Sequence, residues 1–226
     1  MRVFLARFSA AALLILGTLP LHAEARDKAR DRSDGETAEI TERSDISADA
    51  ARVMEWISAS RDNGHLPYIV IDKNAGMLFL HDAEGTALGH APVLIGIAVG
   101  DEASPGVGGK KLAEIGPAEK TTPAGRFLSR YGRAVGNQRV LWVDYATSVA
   151  LHAVVTGNRR ERRQERLDSP TPEDNRITFG CINVPTEFYE ETIRPLFQED
   201  GGLVYVLPDT RPVEDVFPRM RLMPYL

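Results

Sequence analysis

Residues 176–185 read Arg-Ile-Thr-Phe-Gly-Cys-Ile-Asn-Val-Pro, and they hold the only cysteine of a 226-residue chain, Cys181. Gly180 lets the backbone turn sharply just before the thiol and brings amide groups close to a bound molecule. Pro185 suits the first turn of a helix, with Asn183 or a neighbour as its cap. The spacing therefore predicts a thiol just before a helix N-terminus, where partial positive charge favours the reactive thiolate. An unperturbed thiol has a pKa of about 8.5, so a neutral-pH nucleophile needs such activation. The competing reading is an inert core residue, common for free cysteines. A single cysteine excludes an internal disulfide and a cysteine-rich zinc module.

A thiol nucleophile needs a base within hydrogen-bond reach. His22 lies near the N-terminus, His65 in a loop, and His81 and His90 in or beside two short strands. His152 lies in the run VALHAVV, residues 149–155, on one face with Ala150 and Val154. An alternating strand holds such a ring in a fixed direction. Alone it reads as a satisfied sheet histidine; paired with Cys181 it becomes a candidate base.

Outward from these residues the period is mostly two. Tyr68 to Asp72 and Met77 to His81 flank the turn Lys73-Asn74-Ala75-Gly76 and predict a hairpin, with a third strand over 87–95. Residues 100–125 are rich in Gly and Pro and read as loops. Strands are predicted over 126–131, 138–145, 149–155 and 203–207, and a helix over 185–194. Ser47 caps a predicted helix to about Ser60, with Ala50, Val53, Met54 and Ile57 at helical spacing.

The first 25 residues read as an export signal: Arg2 and Arg7, an apolar run from Ala10 to Leu19, then Ala23-Glu24-Ala25. That run is short of the roughly 20 apolar residues a membrane span needs, although an uncleaved anchor stays open as the alternative. Residues 26–45 mix both charges with almost no large apolar side chains and read as a disordered linker. The whole chain carries 27 basic and 32 acidic residues, a net charge of −5, which argues against a nucleic-acid partner. With 43% hydrophobic and 26% charged residues it is an ordinary globular composition, which excludes collagen-like and coiled-coil chains.

The order ALHA…ITFGCINV resembles the catalytic signature of the L,D-transpeptidases, the YkuD-like family: a strand-end His, a spacer, then Ser/Thr-x-Gly-Cys-apolar-Asn/Arg. TTPAGRF, residues 121–127, resembles the family's Thr-Pro-x-Gly-x-Phe turn and strand, and IVIDKNAGMLFLHDAEG its opening hairpin. IGIAVGD, residues 95–101, resembles its next strand and glycine turn, so the likeness covers roughly residues 67–208. It implies a mostly β, mixed β-sandwich domain with a helix after the cysteine, preceded by the helical segment 46–66 and followed by a C-terminal extension, 209–226.

The resemblance also implies an activity. Cys181 would attack a peptidoglycan stem peptide, release D-alanine and pass the acyl group from a thioester to an amine on another stem. His152 would be the base and the Ala153 carbonyl its orienter. Amides of Gly180 and Cys181, in the turn that Thr178 opens, would hold the oxyanion. Asn183 and Phe179 would contact substrate; Trp142, in the strand before His152, reads as a core residue or, as a substrate contact, as a pocket wall. No metal or organic cofactor is implied, and no nucleic acid or stable membrane insertion after signal cleavage. The site of action would be the periplasm or cell envelope. A hydrolytic form of the same chemistry, a carboxypeptidase or amidase, and a non-catalytic wall-binding module both stay open, as does the oligomeric state.

Two features depart from the family pattern. Phe179 stands where many members carry a polar residue, and Cys181 follows His152 by 29 positions, a long spacer. The excess is a charged insertion, 156–175, holding Arg159, Arg160, Arg162, Arg163 and Arg166 against Glu161 and Glu165. It reads as a solvated charged helix, or as a basic lid that attracts carboxylates. PGVGGKK, residues 105–111, lacks phosphate-loop spacing and reads as a surface turn.

Overall fold

The structure is a computed structural model and describes residues 46–226; the predicted signal and linker, 1–25 and 26–45, lie outside the described residues. Among the described residues, ten strands and a few helices make a mostly β unit, the fold class that the strand pattern predicts. Eight strands form one mixed sheet in the order β3-β2-β1-β10-β5-β6-β7-β9. They are β1 Tyr68–Asp72, β2 Met77–His81, β3 Ala87–Pro92, β5 Gly125–Arg133, β6 Arg139–Asp144, β7 Val149–Ala153, β9 Ile182–Val184 and β10 Gly202–Val206. A small second sheet pairs β4, Ile95–Gly96, with β8, Arg176–Thr178. Neighbours in the large sheet are antiparallel except β1 with β10 and β7 with β9.

The sheet folds over on itself. Ile69, Ile71, Leu78, Leu80, Val204 and Val206 from one half meet Leu141, Val143, Leu151, Ile182 and Val184 from the other in one interior. Tyr189, Ile193 and Phe197 from the helical run after the cysteine close that core. The outer face of β1, β2 and β10 is covered by the N-terminal helix Ala48–Ser60 and by the C-terminal segment. That helix starts where Ser47 accepts from the Ala50 amide, the expected cap. Its Val53, Trp56 and Ile57 are buried against Tyr68 and Tyr205. Burying a side chain of this size contributes about 1.5–3 kcal/mol.

Three elements differ from the sequence expectation. The third strand ends at Pro92 rather than reaching Ile95, because proline has no N–H to extend the ladder. Val93 turns back to the Gly76 carbonyl, Leu94 pairs with Asn183, and β4 joins β8 instead. The helix after the cysteine runs on to Phe197, as Thr186–Phe188, a π-turn Tyr189–Ile193 and Arg194–Phe197. Pro195 cannot donate inside a regular helix, and the wider turn just before it accommodates that loss. The charged insertion is also more than a solvated helix. Its helix Arg163–Asp168 buries Leu167 completely against Leu94 and Val154, which fixes the segment to the domain.

One buried polar knot ties the loops behind the sheet. Lys73, completely buried, donates to the carbonyls of Gly100 (2.6 Å) and Thr122 (3.0 Å) and to Asp101 (3.2 Å), with Asp209 also 3.2 Å away. Burial by itself would raise the Asp101 pKa. Hydrogen bonds from the Thr210 hydroxyl and the Asp209 amide, with the Lys73 charge, outweigh that and bring it to about 2. Arg176 closes the knot on Asp209 at 2.8 Å.

Candidate active site

Parallel pairing of β7 with β9 sets the site. The register places His152 beside Asn183, with Leu151 beside Ile182. Alternation sends Leu151, Ile182 and Val184 into the core and leaves His152 and Asn183 together on the other face. Cys181 stands one residue before β9, in the turn that links it to β8.

That turn is held from within and from behind. The Thr178 hydroxyl donates to the Cys181 carbonyl (2.6 Å) and accepts from the Gly180 amide (3.1 Å). Gly180 has φ +129°, and a Cβ there would stand 2.8 Å from the Thr121 carbonyl oxygen, so the position needs glycine. The Thr122 hydroxyl donates to the Gly180 carbonyl at 2.8 Å and accepts from the Gly96 amide at 2.9 Å. The Thr-Thr-Pro motif is thus a brace for the cysteine turn, and Lys73 holds the brace by its carbonyl.

The thiol is half-buried and opens on a cleft of about 530 Å³ that His152 also lines. Sγ donates to the Ser148 carbonyl at 3.7 Å. Ser148 adopts φ +59°, a left-handed conformation uncommon outside glycine, in the turn before β7. Burial pushes the thiol pKa up, against the Ala150 amide and the Arg163 charge, which both lower it. Helix activation is not what the structure provides. Three residues of strand separate Cys181 from the helix at Thr186, roughly 10 Å of extended chain, and the helix-end field fades within a turn. The helix is capped at Pro185 without a side-chain bond, so Asn183 is free for another task.

Around the imidazole, Nδ1 lies 2.8 Å from the Ala153 carbonyl oxygen and 3.1 Å from the Gln138 amide. Nε2 lies 3.1 Å from Asn183 Nδ2. Burial lowers the His152 pKa; the bond to Ala153 opposes this and the Arg163 charge adds to it. The thiol and the imidazole thus share a cleft, each hydrogen-bonded to another partner, and both shifts favour their neutral forms.

Each sequence candidate has a defined place. Phe179 and Trp142 line the cleft, Phe179 under the Lys120 ammonium (3.8 Å) and Trp142 edge-on to Tyr145 (5.1 Å between ring centres). Asn183 is completely buried and lies behind the histidine rather than on the cleft wall. The Gly180 amide is engaged by Thr178. The other histidines lie elsewhere: His81 is stacked on Tyr68 in the hairpin, and His90 is in β3. Val107, Leu112, Ile115 and Val135 add apolar wall, with Lys110, Glu119 and Arg133 of both signs.

Sequence reasoning missed two residues. Gln138, just before β6, gave no signal. Arg163 was counted only among the insertion charges, yet its Nη1 reaches Asn183 Oδ1 at 2.7 Å and its Nε is held by Glu161 at 2.5 Å. Its spacing of four before the buried Leu167 was the available sign that one face of the insertion turns inward.

No protein-family model and no curated protein matches the sequence. Among solved structures, the chain is similar to an L,D-transpeptidase from Xylanimonas cellulosilytica, at 15% identity and TM-score 0.38 over 62% of this chain and 60% of that one. It is similar to Bd1075 from Bdellovibrio bacteriovorus, at 12% identity and TM-score 0.38 over 70% of this chain and 54% of that one. The helical cell shape determining protein Pgp2 from Campylobacter jejuni matches at 8% identity and TM-score 0.41, over 80% of this chain and 64% of that one. The matched segments span less than two thirds of each of those proteins.

Proposed function

We propose that this chain is an exported cysteine acyltransferase that acts on peptidoglycan stem peptides. The observation that carries the reading is Cys181 and His152 opening on one cleft, with the ring oriented through Nδ1 by the Ala153 carbonyl. That leaves Nε2 as the basic nitrogen. Once the Asn183 amide yields its place, Nε2 takes the Sγ proton as sulfur attacks the stem-peptide carbonyl. The tetrahedral oxyanion faces the Cys181 amide, and the Gly180 amide if it exchanges Thr178 for substrate; such preorganised donors are worth several kcal/mol in acyl transfer. The C–N bond then breaks, the imidazolium returns its proton to the departing D-alanine amine, and a thioester remains on Cys181. An amine of a second stem attacks that thioester, losing a proton to Nε2, and sulfur leaves as the thiol.

The cleft suits such a substrate. Apolar walls from Trp142, Val135 and Leu112 carry the peptide, and the mixed charges of Lys110, Arg133 and Glu119 match a ligand holding both amine and carboxylate groups. Export rests on the pattern of residues 1–25.

The test is a product assay. The purified chain is incubated with a disaccharide-tetrapeptide and a free D-amino acid, followed by mass spectrometry. Exchange of the terminal D-alanine is expected. Loss of D-alanine without exchange would replace the acyltransferase by a hydrolase, and no product would favour a wall-binding module.

A further inference from the structure

We propose that Arg163, from the charged insertion, is a positioning residue that holds the Asn183 amide, in the resting site, with its N–H toward His152 and so keeps Nε2 unprotonated until substrate displaces that contact. The proposal deepens the acyltransferase reading and rests on it for its catalytic meaning.

The argument starts from donors and acceptors. A guanidinium only donates, so the atom of Asn183 that meets Arg163 Nη1 at 2.7 Å has to be its carbonyl oxygen. The amide nitrogen is then turned to His152 Nε2 at 3.1 Å, and that nitrogen only donates. A protonated Nε2 would set two N–H groups against each other. The opposite side of the ring agrees. Nδ1 faces the Ala153 carbonyl at 2.8 Å, which accepts its proton. Gln138 stands with its amide nitrogen 3.1 Å from Nδ1, and a proton on Nδ1 requires that amide to be turned over so that its oxygen faces the ring.

The lock itself is anchored. The Glu161 carboxylate holds Arg163 Nε at 2.5 Å, and Leu167, one helical turn further on, is completely buried. Arg163 is 14% exposed, so its charge is only partly screened from the ring. Among the described residues it is the charged group acting on the imidazole, with the Cys181 thiol across the turn and uncharged amides from Asn183 and Gln138. Without Arg163, the Asn183 amide can rotate and offer its oxygen to Nε2–H. The imidazolium gains an acceptor and loses a repelling charge.

The expected consequence is read on the ring. In 15N-histidine-labelled full chain above pH 8, nitrogen NMR should find the His152 proton on Nδ1; a proton on Nε2 in the unaltered protein overturns the proposal without any variant. In Arg163→Met the His152 titration midpoint should rise by about one pH unit. The acid limb of the acylation profile should move up by the same amount. Arg163→Lys, which keeps the charge and one donor for Asn183, should return the midpoint most of the way. A midpoint that stays or falls in Arg163→Met, with dispersed amide spectra, refutes the lock. Because the ring is read directly, a protein without acyl transfer would sink the catalytic reading and leave the outcome for Arg163 standing.

Discussion

Two polar clusters among the described residues, one around Lys73 and one around Cys181, are built to opposite ends. Around Lys73 every charge is answered: two carbonyls, Asp101 and Asp209 surround one ammonium, and Arg176 closes the second carboxylate. Around Cys181 the partners are provisional. The thiol leans on the Ser148 carbonyl at 3.7 Å, and Nε2 takes the Asn183 amide. Either contact can be exchanged for a substrate because both groups open on the cleft. A cluster with nothing left to bond is a brace, and a cluster whose bonds are exchangeable can do chemistry. Thr122 joins the two, with its carbonyl on Lys73 and its hydroxyl on the Gly180 carbonyl.

This contrast separates what each substitution should do. His152→Ala should lower the rate of Cys181 acylation by about 10² to 10⁴, the scale of a general base, with the urea midpoint nearly unmoved. An unchanged acylation rate would assign the base elsewhere. Lys73→Met should do the reverse. It strands Asp101 and Asp209 in the interior and should cost about 3–5 kcal/mol in urea unfolding, whereas a change under 1 kcal/mol would mean that the knot is no brace.

The pH dependence of thiol alkylation sharpens the same comparison. Burial raises the Cys181 pKa, and burial with the Arg163 charge lowers that of His152, so the resting pair is thiol and neutral imidazole. Reactivity toward iodoacetamide should climb about tenfold per pH unit from 6 to 8, as for a thiol still below its pKa. A plateau near pH 6–7 would reveal a preformed ion pair. Thr122→Val should have the smallest effect. It orphans a buried Gly96 amide and the Gly180 carbonyl, costs about 1–3 kcal/mol, and should slow acylation modestly because it touches both clusters. Loss of stability with no effect on acylation would show that the turn does not depend on its brace.

Much of this was legible in the sequence, and the exceptions share a cause. The β-rich runs around 68–81, the Ser47 cap and the Gly-Cys turn follow from local chemistry, and each stands where the residues predict. The insertion of β10 between β1 and β5 was not legible, because its partners lie more than 70 residues away and no local signal encodes that pairing. Nothing local to Lys73, the first residue of the hairpin turn, announces its burial; only the distant Asp101 and Asp209 make that burial tolerable. Asn183 offers itself as a cap for the helix predicted from Pro185, and the three residues Ile182-Asn183-Val184 carry too little period to declare the strand they form. Arg163 was hidden among five arginines, and its role depends on Leu167 turning that helix inward.

The central claim is that Cys181 carries the acyl group. The direct measurement is intact-mass spectrometry of the purified chain, quenched in acid seconds after mixing with a disaccharide-tetrapeptide, with Cys181→Ala alongside. A transient adduct equal to the substrate less D-alanine, mapped to Cys181 and missing in Cys181→Ala, is the predicted result. An adduct on another residue, or turnover that persists in Cys181→Ala, would contradict it.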